Sequence, residues 1–119
     1  MGRKRILVVD DEPGVCEMVQ TMLEVDFHSV DTALSGMEAL DKCQAVPFDV
    51  VVADYHMPGM KGDQLAIALK KHVSQPYIIL ISGDPPRNPV REIDFVLMKP
   101  FSLVDLRMAL QTFEQRRAA

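Results

Sequence analysis

Short, wholly apolar runs punctuate the chain at Ile6-Leu7-Val8-Val9, Val50-Val51-Val52-Ala53, Ile78-Ile79-Leu80-Ile81 and Phe95-Val96-Leu97-Met98, with a weaker run at Phe27-His28-Ser29-Val30. Runs of about four residues, apolar on both faces, predict strands buried between two layers. Between them the period lengthens. Val15, Met18, Val19, Met22 and Leu23 recur at helical spacing behind Pro13, which a first helical turn tolerates. Ser35-Gly36-Met37-Glu38 reads as a capping box opening a second helix that carries Leu40. Asp63 is placed to cap a third helix bearing Leu65, Ala66, Leu69 and Val73. Ser102 is placed to cap a last helix with Leu103, Leu106, Leu110 and Phe113 as its stripe and Arg116 and Arg117 at its C-terminal end.

Strand and helix alternate, which predicts an α/β domain with a parallel sheet covered on both faces. One repeat is defective. The connection from Gly83 to Ile93 holds Pro85, Pro86 and Pro89, too many for a normal crossover helix. At most one turn could start there, with Asn88 as cap and Pro89 at the first helical position.

Composition narrows the classes. A chain of 119 residues fits one domain, 1–119, and disfavours a multi-domain enzyme. Thirteen bases against seventeen acids leave no basic excess for a nucleic-acid surface. No run reaches the roughly 20 apolar residues of a membrane span, and the apolar stretch after Arg3-Lys4-Arg5 is too short for a signal peptide. Cys16 and Cys43 form no CxxC pair, so structural zinc is disfavoured. The eight methionines read as core filler. His28 and His72 read as ordinary surface or edge histidines.

Candidate chemistry follows from the sheet. In an open parallel sheet, ligands bind at the carboxyl ends of the strands. There the chain places Asp10, Asp11 and Glu12 after the first strand, Asp54 after the third, Ser82-Gly83 after the fourth and Lys99-Pro100 after the fifth. Crowded carboxylates repel one another, and a hard cation such as Mg²⁺ relieves that repulsion. An ammonium and a hydroxyl beside them make a phosphoryl pocket with one carboxylate as nucleophile. Glu12 is expected at the rim, off the metal. The Lys99–Pro100 bond is a candidate for cis, the form that proline makes accessible.

The segments Ile6 to Pro13, Asp54-Tyr55-His56-Met57-Pro58-Gly59-Met60-Lys61-Gly62, Ser82-Gly83 and Lys99-Pro100-Phe101, in this order and spacing, resemble the receiver domain of two-component response regulators over essentially the whole chain. The resemblance implies a five-stranded doubly wound sheet of flavodoxin-like order 2-1-3-4-5. It implies that Asp54 accepts a phosphoryl group from the phosphohistidine of a histidine kinase or a histidine phosphotransfer protein. Asp11 would bind Mg²⁺ directly and Asp10 mostly through water, with Asp54 and the backbone carbonyl of His56 completing the protein ligands. Ser82 and Lys99 would hold the phosphoryl oxygens. The implied protein is a cytoplasmic signalling module rather than an enzyme. It would signal to a downstream protein and bind neither nucleic acid nor membrane. In that fold Cys16 and Cys43 lie on opposite faces of the sheet and are free thiols.

Three features depart from the pattern. The aromatic switch residue usual three positions before the lysine is replaced by Val96, and Phe95, one step earlier on a strand, faces the other layer. The fourth helix, often part of the family's output surface, is missing or reduced to a turn. The face bearing Val96 and Met98 is then expected to be bare, serving a homodimer or a docked partner, unless the proline-rich loop folds over it. His56 is expected to overhang the phosphoryl site and govern water access. Two other classes compete with a phosphorylatable module. A pseudo-receiver would bind partners without phosphorylation. An aspartate-nucleophile phosphatase of the haloacid dehalogenase kind would need a second Asp where His56 stands.

Overall fold

The computed structural model describes residues 2–72 and 76–118, and the side chains of residues 72, 117 and 118 fall outside that description. The readings of Val73, His72 and Arg117 therefore lie outside the described residues. Five strands, β1 (Arg5–Val9), β2 (Ser29–Ala33), β3 (Val50–Asp54), β4 (Tyr77–Ser82) and β5 (Phe95–Met98), form one parallel sheet in the order β2-β1-β3-β4-β5. Four helices accompany them: α1 (Pro13–Glu24), α2 (Gly36–Ala45), α3 (Gly62–His72) and α4 (Leu103–Ala118). No helix joins β4 to β5; the prolines leave bends and one turn, closed by Ile93 N–H donating to Val90 C=O at 3.1 Å.

The apolar runs form the sheet for the reason the pattern suggests. Every residue of β3 and β4 is buried. Side chains alternate between two layers. Ile6, Val8, Val52, Ile79, Ile81 and Leu97 face α1 and α4, while Leu7, Val9, Val51, Ala53 and Ile78 face α2 and α3. Cys16 belongs to the first layer and Cys43 to the second, both as free thiols.

Caps settle most helix starts. Ser35 Oγ accepts from Glu38 N–H at 3.1 Å, and Glu38 reaches back to Leu34 N–H at 2.9 Å. Ser102 and Asp105 form the same reciprocal pair, at 3.2 and 2.8 Å. The third start differs from expectation. Asp63 lies inside the first turn and accepts only from Gln64 N–H, while Gln64 Oε1 accepts from Lys61 N–H at 2.9 Å.

Other expectations shift. The weak apolar run at Phe27 is not strand: Phe27 has φ 66° and closes the turn after α1, and the edge strand begins at Ser29. Cys16 is buried in the core face of α1, whereas Met18 is half exposed. Methionine is not mainly core filler. Met18, Met37, Met98 and Met108 are exposed, because the strands' β-branched residues and leucines already fill both layers. His28 sits at the sheet edge as expected but is buried, its Nδ1 accepting from Lys4 N–H at 3.1 Å. The loop covers the β4–β5 face only in part. Leu80 is buried, Val96 is half-buried and Met98 remains 58% exposed.

Candidate functional site

The site lies where β1, β3, β4 and β5 end. Parallel pairing aligns these ends: Val9 pairs with Ala53, Asp54 with Ile81, and Ser82 with Met98. The residues after them are thereby gathered at one edge. Asp10 N–H donates to Ala33 C=O at 3.1 Å, and Asp10 Oδ1 accepts from Glu12 N–H at 2.9 Å, which folds the acidic turn over the edge. Carboxylate oxygens of Asp10, Asp11 and Asp54 all lie within 4.8 Å of one another. Asp10 and Asp54 are buried and Asp11 is exposed. Glu12 is exposed and stands outside this cluster, as expected of a rim residue.

Lys99 Nζ lies 3.0 Å from Asp54 Oδ1. Lys99 follows β5 and is anchored by its N–H, which donates to Ser82 C=O at 3.0 Å; the next peptide bond, to Pro100, is cis. Ser82 is buried and its Oγ accepts from Asp84 N–H at 3.0 Å. His56 is exposed, with its ring edge-on to Tyr55 at 4.7 Å between centroids.

Burial and mutual repulsion shape the charges of the cluster. Burial raises the pKa of Asp10 above the ordinary carboxylate value, the Glu12 N–H opposes this, and the charges of Asp54 and Asp11 add to the rise. Burial pulls the Lys99 ammonium down, but its bond to Asp54 and the charges of Asp54, Asp10 and Glu12 outweigh that and raise it. The donors are all oxygen, which suits a hard cation. Ligands about 2.1 Å from Mg²⁺ are separated by at most roughly 4 Å across the ion, so the three carboxylates would draw slightly together to share one cation.

Two supports escaped the sequence reading. A Cβ at Gly62 would stand 2.7 Å from the Asp54 carbonyl oxygen and 2.6 Å from Leu80 Cδ1. Only glycine lets the start of α3 close on the backbone of Asp54, where Gly62 N–H donates to Tyr55 C=O at 3.0 Å. Cys16 Sγ lies 3.4 Å from the Asp10 carbonyl oxygen, and burial with the nearby Asp10 charge raises its pKa, so the thiol stays protonated as a donor beneath the acidic turn. Gly62 sits in plain view after Lys61, but only the loop's path reveals what crowds it. Cys16 carries no sequence signal beyond its place on the helix.

Residues 6–111 match the response regulator receiver domain. The response regulator ArlR of Staphylococcus aureus is 24% identical over 117 residues, covering 95% of this chain and 53% of that protein, so the chain spans about half the length of the curated relatives it matches. Among solved structures, the response regulator TrrA of Thermotoga maritima, in complex with Mg²⁺-BeF, is 32% identical with a TM-score of 0.83, over 92% of this chain and 98% of that one. A receiver domain protein from Clostridium thermocellum is 27% identical with a TM-score of 0.86, over 96% of each chain. Motif order, sheet topology and family match agree, and the chain belongs to the response regulator receiver domain family.

Proposed function

We propose that residues 1–119 act as a Mg²⁺-dependent phosphoacceptor unit in which Asp54 takes a phosphoryl group from a histidine kinase or histidine phosphotransfer protein, changing the binding of a downstream protein. The observation that carries this reading is the ammonium of Lys99 at 3.0 Å from Asp54, beside carboxylates gathered within 4.8 Å. An Asp54 oxygen attacks phosphorus, the N–P bond breaks, and its electron pair stays with the donor imidazole. Lys99 and the Ser82 hydroxyl meet the charge on the phosphoryl oxygens, already oriented by Ser82 C=O and Asp84 N–H. Asp10, Asp11, Asp54 and the His56 carbonyl would hold Mg²⁺, which when bound supplies positive charge to the transferring group. The absence of a membrane-length apolar helix among the described residues and the two free thiols fit a cytoplasmic setting.

Intact mass after treatment with acetyl phosphate and Mg²⁺ should show one added phosphoryl group, and Asp54→Asn should abolish it. Label persisting on the Asn variant would overturn the assignment. Val96 in place of an aromatic switch residue favours a second reading, partner binding without phosphorylation. That reading would leave all partner binding intact in Asp54→Asn.

Met98, bare on the β4–β5 face, supports association of two copies through that face. Light scattering should then show mass rising with concentration, and Met98→Asp should suppress the rise. A strict monomer at every concentration would remove this part of the reading.

A further inference from the structure

The helix-free connection between β4 and β5 leaves one side of α3 open. A cavity of about 490 Å³ lies there, lined by Ile67, Lys70 and Lys71 of α3 and by Arg91 and Glu92 of the connection. Positions 67, 70 and 71 fall on one helical face. The chain carries a net charge of -4, yet among the described residues this lining sets three cations against one acid. Lys70 is turned inward to Asp94 at 2.9 Å. Asp94 in turn accepts from Ile78 N–H at 2.8 Å and from Arg116 at 2.7 Å, which ties Lys70 to β4 and α4.

The other two cations are exposed, Arg91 in a long ion pair with its neighbour Glu92 and Lys71 uncommitted. The Arg91 side chain is 95% exposed and approaches Glu92 no closer than 3.9 Å. Lys71 is exposed and has no ion pair or hydrogen bond among the described residues. Ile67 stands beside them, 41% exposed. Beside the apolar Ile67, the exposed Lys71 and Arg91 match a ligand that sets carboxylates on either side of an apolar side chain. The cavity is open rather than enclosing, unlike the pockets that bury most of a small ligand. Two cations on an acidic chain are also too few for a nucleic-acid track.

We propose that this groove docks an acidic peptide segment of a partner protein, with an apolar side chain on Ile67 and carboxylates facing Lys71 and Arg91. The site goes beyond the phosphoacceptor reading and needs no phosphoryl group. It is tested on the unmodified chain and on Asp54→Asn, so failure here and failure at Asp54 are separately visible.

The probe is a short synthetic peptide of Glu, Asp and Leu, titrated into nitrogen-labelled protein and followed by amide NMR. The control peptide replaces its acids with Lys. Shifts should centre on Ile67, Lys71 and Arg91, and Asp54→Asn should bind equally well. Lys71→Glu with Arg91→Glu should weaken binding roughly tenfold or more, as loss and reversal of two exposed charge contacts would. Ile67→Ala should weaken it at unchanged charge. All three residues are exposed, so the variants should fold, which melting curves check. The proposal is overturned if shifts lie elsewhere, if the charge reversals leave affinity intact, if Ile67→Ala has no effect, or if the Lys peptide binds as well. Self-association that the same reversals abolish would also overturn it, by making a second copy the occupant.

Discussion

Single residues set the working conditions of this domain. His28 accepts from Lys4 N–H through Nδ1, so its proton resides on Nε2, which is buried without a partner among the described residues. Burial first, and then the Lys4 charge, lower its pKa below the ordinary 6.5, against Asp26 and Glu114. The folded chain therefore resists protonating a group that the unfolded chain protonates freely. The unfolded state binds more protons below about pH 6.5, so stability is full above that value and declines as pH falls beneath it. His28→Gln can still accept from Lys4 and has no such proton to refuse. Urea unfolding at about pH 7 and pH 5 should show a smaller loss for the variant than for the parent. Equal losses would show that His28 does not govern this slope.

At the scale of elements, a carboxylate that the apolar pattern does not single out joins three of them. Asp94, just before β5, accepts from Ile78 N–H of β4, from Lys70 of α3 and from Arg116 of α4. Asp94→Ala would leave a strand N–H and two cations without their acceptor, at a cost of about 2 kcal/mol. Asp94→Asn keeps an acceptor for Ile78 and should cost less; chemical denaturation of the two variants gives the comparison. Similar losses would mean that the ion pairs, rather than the strand N–H, dominate. Asp94 was illegible beforehand because its partners are 16 to 24 residues away in sequence. Local signals fared better. The boxes at Ser35 and Ser102 were readable because each cap and its partner lie three residues apart. The third start was misread at Asp63 because Gln64, reaching back to Lys61 N–H, does the work expected of a capping aspartate. The edge strand was misplaced because β2 mixes Asp31 and Thr32 with apolar residues and so lacks the continuous run of the buried strands. The site was legible for the same topological reason as the central sheet. Parallel strands send the residues after them to one edge, so the sequence alone groups Asp10, Asp11, Asp54, Ser82 and Lys99.

For the whole molecule, charge and stability are in tension at that edge. Ten of the seventeen acids fall within the first 49 residues, and Asp10 and Asp11 meet Asp54 across the sheet. Asp10 is only 4% exposed, and its pKa is raised by burial and by both neighbouring aspartates. Folding without a cation therefore gathers negative charge against repulsion, and a cation that binds only the folded chain stabilises it by mass action. At a Mg²⁺ concentration of about 100 times Kd the gain is roughly 2.7 kcal/mol. Since about 1 kcal/mol moves the midpoint of a domain this size by roughly 4 °C, the shift is readily measured. Asp10→Asn separates the two sides of this tension, because the amide oxygen can still accept from Glu12 N–H while the charge is gone. In EDTA the Asn variant should melt higher than the parent, since repulsion falls. In saturating Mg²⁺ the order should narrow or reverse, since a ligand is lost. Asp11→Ala should abolish the Mg²⁺ shift, and Glu12→Gln, outside the cluster, should keep it. A Mg²⁺ shift that survives Asp11→Ala but not Glu12→Gln would move the metal out of the pocket between β1 and β3.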